Sequence, residues 1–191
     1  MTVTEFVTLT LTPPHTLESP LVQATLDKVA YQQADWSGHP LFYFQDVQNP
    51  ADIYLISGWK DVAAHEKWIV SETNQALLKE VAPLVQITRF AHLAIDFQAM
   101  PVDGDVMRWL AVRPEASVPS PLQEVTGRTP RWEAVGRQLD GEGAESILWQ
   151  LGVYDTKVAE SCGLDNKDAP GFVAGGVAKR VSVQRTSTLS E

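Results

Sequence analysis

The feature of this sequence that most constrains its fold is a change of hydrophobic period between Asp52 and Asn74. Ile53 to Trp59 is β-branched, aromatic and apolar, which is typical of a half-buried strand. Beyond this strand the apolar and aromatic positions recur at helical spacing, at Val62, His65, Trp68 and Ile69. The strand therefore runs almost directly into a helix, and we expect Trp59, His65 and Trp68 to lie close together.

Indole and imidazole side chains gathered in one place favour a particular kind of ligand. Trp59 and Trp68 offer flat apolar faces, and His65 offers one titratable ring. Such a site suits a flat organic molecule that carries little charge.

Residues 1 to 97 contain four predicted strands and two predicted helices. They are a strand at Val3–Leu11, a helix at Leu17–Gln33, strands at Leu41–Asp46 and Ile53–Trp59, a helix from Asp61 to Pro83 broken near Ser71–Thr73, and a strand at Val85–Phe97. Asp35 to Pro40 is predicted to be a loop because it contains Gly and Pro. The order β-α-β-β-α-β with helices on one face predicts an α+β, ferredoxin-like unit with an antiparallel sheet.

Residues 98 to 191 repeat the strand pattern more weakly. Strands are predicted at Asp105–Arg113, Arg131–Gln138, Glu145–Tyr154 and Ala178–Arg185, with a short helix near Leu122–Val125 and one or two turns between Asp155 and Cys162. At an offset of about 95 residues Tyr154 falls where Trp59 stands, which we interpret as a degenerate internal repeat. We therefore expect two halves, 1–97 and 98–191, whose sheets pack face to face, with a loose tail after Thr186.

Composition and motifs exclude several functions. A net charge of −9 without a basic patch argues against nucleic acid and anionic membranes as partners, and the default expectation is a soluble cytoplasmic protein. His65 and Glu66 begin a zinc-protease pattern, but Ile69 occupies the position of the second histidine, so no metal site is expected. Cys162 is the only cysteine and is interpreted as an incidental thiol.

The first half resembles the antibiotic-biosynthesis monooxygenase-like (ABM) group of the dimeric α+β barrel superfamily. The likeness is carried by the strand that ends in Trp59, by Asp61 to His65, by the aromatic residue Trp68 and by Ser71 to Asn74 before a second helical piece. The resemblance implies sheets that pair into a barrel, usually across a dimer, and a ligand cavity between each sheet and its helices. It also implies activities that range from cofactor-independent oxygenation of aromatic polyketides and polyketide cyclisation to haem degradation, beside members without known activity.

Neither catalytic pair of the related enzymes is intact in this chain. In the quinone-forming oxygenases the matching strand carries an Asn and the helix a Tyr, where this chain has Leu55 and His65. The polyketide cyclases place a Tyr and a His at the positions of Trp68 and Asn74. In the second half Gln150 stands at the amide position, four residues before Tyr154, so the repeat could supply an amide and a phenol.

The candidate catalytic residues are His65 and His92, because an imidazole can take a phenolic or enolic proton near neutral pH. His92 is expected on the strand face that turns into the barrel. Structural roles in the core or at the surface are the alternative for both histidines and for the tryptophans. The candidate substrate-binding residues are Trp59, Trp68, Asn74, Phe90, Gln150 and Tyr154.

Two functions remain open at this level. The favoured one is a cofactor-free enzyme of secondary metabolism that oxygenates, cyclises or dehydrates an aromatic or polyketide-like small molecule. The alternative is a non-catalytic barrel that binds a hydrophobic metabolite or a partner protein. A homodimer is compatible with either function.

Overall fold

The computed structural model describes residues 2–101, 103–113, 130–141, 147–155 and 172–181. Within these ranges the chain is an α+β protein with one antiparallel sheet of eight strands and three α-helices, which confirms the predicted class. The elements are β1 Val3–Leu11, α1 Pro20–Ser37, β2 Leu41–Asp46, β3 Asp52–Trp59, α2 Val62–Ile69, α3 Glu72–Val81, β4 Val85–Leu93, β5 Val106–Val112, β6 Trp132–Arg137, β7 Leu148–Tyr154 and β8 Phe172–Val181. None of these helices is both long enough and apolar enough to cross a membrane.

The strand order in the sheet is β4-β1-β3-β2-β8-β5-β7-β6. The first four strands follow the order of a ferredoxin-like unit, and the last four repeat that order when they are numbered from β5. The two edge strands also meet: Ala94 N donates to Arg137 O and Leu139 N donates to His92 O, each at 2.8 Å. These bonds bring the end of β4 against the end of β6.

The two faces of the sheet bury different clusters because successive side chains on a strand point to opposite sides. Phe6 and Tyr54 lie on one face, where Phe6 packs against Trp109 and Trp149 with ring centroids 4.8 and 4.9 Å away. The other face of the first four strands packs against α1, through residues such as Val7, Leu9, Leu55, Val22 and Leu26. We call this second side the helix face.

Helix α1 lies later in the chain than the sequence predicted, because it begins at Pro20, where Leu17 was expected, and ends beyond Gln33. It continues to Ser37, through residues assigned to a loop, and Gly38 ends it with φ +74° and an N–H that donates to Ala34 O. Glycine adopts this left-handed backbone conformation more readily than other residues do, so the helix ends at Gly38. The prediction of a loop from Asp35 onwards was wrong by one helical turn.

Strand β4 also differs from its prediction, in length and in pattern. It ends at Leu93, and Phe97 begins a short 3₁₀ turn. Thr8 of β1 pairs with Arg89, and the next residue, Leu9, pairs with Ile87. Thr88 is therefore an extra residue in β4 at this point. This β-bulge puts Ile87 on the helix face, whereas strict alternation along the strand would place it with Ala91 and Leu93 on the other face.

The four predicted strands of the second half are present as β5 to β8, and β5, β6 and β7 have slightly shorter bounds than predicted. The last strand was misplaced: it was predicted at Ala178–Arg185, but β8 begins at Phe172 and is described to Val181, so the two ranges share only residues 178–181. The helix predicted at 122–125, the turns predicted up to Cys162, the thiol of Cys162 and the tail after Thr186 lie outside the described residues. The division at residues 97 and 98 stays a prediction.

Candidate active site

A cavity of about 310 Å³ lies between the helix face of the sheet and the three helices. Most of its lining is apolar and comes from β1, β3, β4 and all three helices. The polar residues that line it are Glu5, Gln33, Tyr43, His65 and Asn74. The part of the lining that the structure describes includes a carboxylate but no lysine or arginine.

Glu5 is the centre of the polar part of the cavity. It lies on the helix face of β1, where its neighbours on the same side are apolar, and it is only 3% exposed. Its Oε2 accepts hydrogen bonds from Gln33 Nε2 at 2.7 Å, Ser57 Oγ at 2.5 Å and Trp59 Nε1 at 2.8 Å. Three donors from α1 and β3 therefore fix the carboxylate and leave its Oε1 facing His65.

Two imidazole rings continue from Glu5 towards the surface. Glu5 Oε1 is 3.4 Å from His65 Nε2, and His65 Nδ1 is 2.6 Å from His92 Nε2. His92 Nδ1 is 2.9 Å from Asp140 Oδ2, and the backbone N of His92 donates to Asp140 Oδ1 at 2.9 Å. Both histidines are buried, whereas the side chain of Asp140 is 27% exposed. The four side chains thus form one chain of contacts from the cavity wall to solvent.

The position of His65 follows from short-range structure. Asp61 caps α2 by accepting a hydrogen bond from Ala64 N at 2.7 Å, and this fixes the first turn of the helix. The indole of Trp59 stacks on the His65 ring at 4.3 Å with an interplanar angle of 18°. Phe90 contacts the same ring at 5.5 Å. The imidazole is therefore held by aromatic contacts as well as by the contact of its Nδ1 with His92.

Burial lowers the pKa of His65 below its ordinary value of 6.5, because the charged ring loses its hydration. The negative charge of Glu5 raises this pKa, the proximity of His92 lowers it, and Asp140 raises it, with desolvation the largest effect. At neutral pH His65 is therefore a neutral ring that can accept a proton.

Trp59, His65 and Trp68 do lie together, although in different roles. Trp68, Asn74 and Phe90 line the cavity, as His65 does. Trp59 is buried behind His65 and contacts Glu5, so it supports the wall of the cavity. The side-chain amide of Asn74 donates to Ile69 O at 3.2 Å and ties α3 to the end of α2.

His92 is on the opposite face from the one the sequence suggested. It is paired with Glu5 in the register of β1 and β4, and its ring points to the helix face, away from the aromatic cluster around Phe6. The prediction that it turns into a barrel interior was wrong. His92 does not line the cavity either, so it can act only through His65.

Gln150 and Tyr154 lie elsewhere in the molecule, and the expectation that they reach the same site was wrong. Gln150 Nε2 donates to Glu133, and Tyr154 packs with Val106 and Val177. The reason is the strand order, since β7 is four places from β3 in the sheet. Equivalent positions on these two strands therefore stand far apart.

Sequence reasoning missed Glu5, Gln33 and Asp140. Glu5 had a usable signal, because it is the one charged residue on the apolar side of the β1 pattern. Asp140 had none, because it meets His92 only where the two edge strands come together, 48 positions apart in the chain.

No family model matches the chain, and no curated protein matches it. Solved structures do resemble it. A proposed monooxygenase from Fusobacterium nucleatum superposes with a TM-score of 0.59 at 10% identity, over 96% of this chain and 93% of that one. An anthrone oxidase-like protein gives a TM-score of 0.57 at 14% identity over 94% and 92% of the two chains. A heme-binding protein from Thermus thermophilus gives a TM-score of 0.54 at 11% identity over 95% and 92%. At these identities the likeness establishes a shared fold that spans nearly the whole chain.

Proposed function

We propose that the protein is a cofactor-independent enzyme that removes a proton from an aromatic or polyketide-like small molecule of secondary metabolism. The substrate lies in the cavity between sheet and helices, and the proton transfer begins an oxygenation, a cyclisation or a dehydration. The observation that carries this proposal is a buried, neutral His65 in the wall of an apolar cavity, paired with the fixed carboxylate of Glu5.

The chemistry suits this environment. A neutral imidazole is a competent general base near pH 7, and an apolar cavity strengthens each electrostatic contact by excluding water. Trp68 and Phe90 provide aromatic surface against which a planar ring system can pack. Structural neighbours named as a monooxygenase and as anthrone oxidase-like support oxygenation as the first reaction to test.

The charge of the lining restricts the substrate. Among the described residues of the lining, Glu5 is the one carboxylate, and no lysine or arginine accompanies it. A ligand with a carboxylate or phosphate group would be repelled and would find no basic partner. We therefore expect a neutral ligand with a weakly acidic hydroxyl or an activated carbon.

A heme group held by histidine does not fit these residues. His92 does not line the cavity, and the described lining around His65 contains no lysine or arginine that could pair with the two carboxylates of a heme. His15 and His39 complete the four histidines of the chain, and neither lines the cavity. Among the described residues no group of three His, Cys, Asp or Glu could hold a metal ion. The proposed mechanism uses neither a heme group nor a metal ion.

The finer architecture belongs to the same proposal. Two β-α-β-β-α-β-like halves, 1–97 and 98–191, pack sheet to sheet as one barrel within a single chain. Support comes from the repeated strand order, from the hydrogen bonds between the ends of β4 and β6, and from fold neighbours that match over nearly the full length. Such a chain would need no partner to complete its barrel, so a homodimer would have to form through another surface.

The test begins with binding and product analysis on neutral aromatic polyketides, with anthrone and hydroxylated anthrones first. Quenching of tryptophan fluorescence reports binding beside Trp68, and mass spectrometry with and without oxygen identifies products. His65→Ala should lower turnover by about 10² to 10⁴ while binding persists, because the base is lost and the apolar walls remain.

His15→Gln is the matched control, because it alters a histidine outside the cavity and should leave turnover unchanged. Saturable binding without product from any compound, with or without oxygen, would instead support the non-catalytic binder. A His65→Ala variant that is as active as the wild type would remove His65 from the mechanism.

A further inference from the structure

We infer that His92 and Asp140 form a relay that moves protons between His65 and solvent. The inference rests on the proposed function, in which His65 is the base that meets the substrate. His92 and Asp140 are positioning residues in this scheme, since neither lines the cavity. Their role is to carry away the abstracted proton and to return one later in the cycle.

The number of protons in the chain of contacts supports a direction for the relay. Three contacts join Glu5, His65, His92 and Asp140, and if each ring holds a single ring proton, only two of the three contacts can contain one. We assign one proton to His92 Nδ1, because its 2.9 Å contact with the Asp140 carboxylate is shorter than the 3.4 Å contact of His65 with Glu5; His92 Nε2 then accepts the second proton from His65 Nδ1. His65 Nε2 is left without a proton, opposite Glu5 Oε1.

This unprotonated contact is also the widest, at 3.4 Å, and both of its residues line the cavity. The other two contacts are 2.6 and 2.9 Å. Two acceptors that face each other without a proton attract a hydrogen-bond donor. A hydroxyl group of a ligand can supply that donor, so the place for the acidic proton is built into the network.

The proton shift balances. The substrate proton passes to His65 Nε2, and the electron pair of the broken bond stays on the substrate. The Nδ1 proton of His65 passes to His92 Nε2, and the Nδ1 proton of His92 passes to Asp140 Oδ2, which releases it to water. The reverse shift, from water through Asp140, delivers a proton when the product needs one and restores the starting tautomers.

Among the residues that the structure describes, Asp140 is the exposed end of the network. His65 and His92 are 3% and 2% exposed, whereas Asp140 is 27% exposed. The titratable groups that face the two rings are Glu5, from β1, and Asp140, after β6. Their aromatic neighbours are uncharged, so Asp140 is the route by which a proton leaves the two rings for water.

Two variants test the relay. Asp140→Asn keeps the size of the side chain and an acceptor for His92 N, but it cannot hold a transferable proton. With anthrone or whichever compound the wild type turns over, kcat should fall at least about tenfold with KM unchanged, and the acidic limb of the pH–rate profile should move. Asp140→Ala should be rescued by added acetate, which can accept the proton from His92, whereas the wild type should not respond to acetate.

The free protein gives an independent readout. Nitrogen-15 NMR of the histidine rings should show His92 protonated on Nδ1 in the wild type and a changed tautomer population in Asp140→Asn. An Asp140→Asn variant with wild-type kcat, beside an inactive His65→Ala, would overturn the relay and leave the proposed function intact. A wild type without turnover on any compound would overturn the proposed function, and the ring tautomers would then decide whether the hydrogen-bonded network itself exists.

Discussion

A buried carboxylate must be matched by donors, and Glu5 has three of them on a single oxygen. At the scale of single residues this arrangement separates two functions within one side chain. Oε2 holds α1 and β3 together, whereas Oε1 faces His65 and the cavity. The two functions can therefore be removed separately.

Glu5→Gln should preserve the structural function and abolish the chemical one. Its amide oxygen can still accept the three hydrogen bonds, so the free energy of unfolding should change by about 1 kcal/mol. Its amide NH₂ would donate to His65 Nε2 and block the base, so turnover should fall as far as in His65→Ala.

Glu5→Ala should be the more destabilising substitution, because it leaves the donors of Gln33, Ser57 and Trp59 buried without their acceptor. A loss on the order of 3 kcal/mol or more is expected. Urea denaturation of both variants checks the order, and equal stabilities would show that the hydrogen bonds to Glu5 contribute little.

At the scale of elements, the site depends on how two short helices begin. Helix α2 has 8 residues and α3 has 10, too few to be stable without caps and packing. Asp61 caps α2, and Ser71 caps α3 by accepting from Asn74 N at 3.2 Å. Only α2 carries a relay residue, His65, so the two caps provide a matched comparison.

Asp61→Ala and Ser71→Ala should each lower the free energy of unfolding by about 0.5 to 2 kcal/mol. Their effects on catalysis should differ. Loss of the α2 cap displaces His65 and lowers kcat, whereas loss of the α3 cap disturbs the cavity wall at Asn74 and Leu77 and raises KM. Thermal unfolding and steady-state kinetics measure the two effects, and an equal fall of kcat in both variants would argue against a positioning role of α2.

The elements also show what could be predicted from the sequence. The period change after Trp59 correctly located α2, and the cavity between the sheet and its helices is the one that the family resemblance implied. The bulge at Thr88 and the contact of His92 with Asp140 were not predictable from periodicity. Both are set by pairing between strands distant in sequence, which leaves no local signal.

At the scale of the whole molecule, the site depends on the meeting of the two sheet edges. Gly136 on β6 lies against the end of β4, and a Cβ there would lie 2.4 Å from Ala94 O and 2.6 Å from Ile95 Cγ1. The neighbouring Arg137 O accepts from Ala94 N, and Asp140 follows shortly after. The absence of a side chain at this position therefore allows the relay to form.

Gly136→Ala should push β6 away from β4, at a cost of about 1 to 3 kcal/mol. The amides of Ala94 and Leu139 should lose protection in hydrogen exchange, and kcat should fall because Asp140 moves away from His92. Val135→Ala is the control, since its side chain is 56% exposed on the same strand. Unchanged protection in Gly136→Ala would show that the edges are held together by other contacts.

Arg108 on β5 occupies the position in the second four strands of the sheet that corresponds to Glu5 on β1 in the first four. Glu5 lies two residues after Val3, which pairs with Trp59 at the end of β3. Arg108 lies two residues after Val106, which pairs with Tyr154 at the end of β7. Both are almost completely buried. A barrel made of two identical subunits would carry the same charge at these two positions. A single chain with two different halves can carry a carboxylate at one position and a guanidinium at the other. The proposed chemistry, which needs a carboxylate, therefore places its demand on one half of the sheet, and the position of Arg108 in the other half is exempt from it.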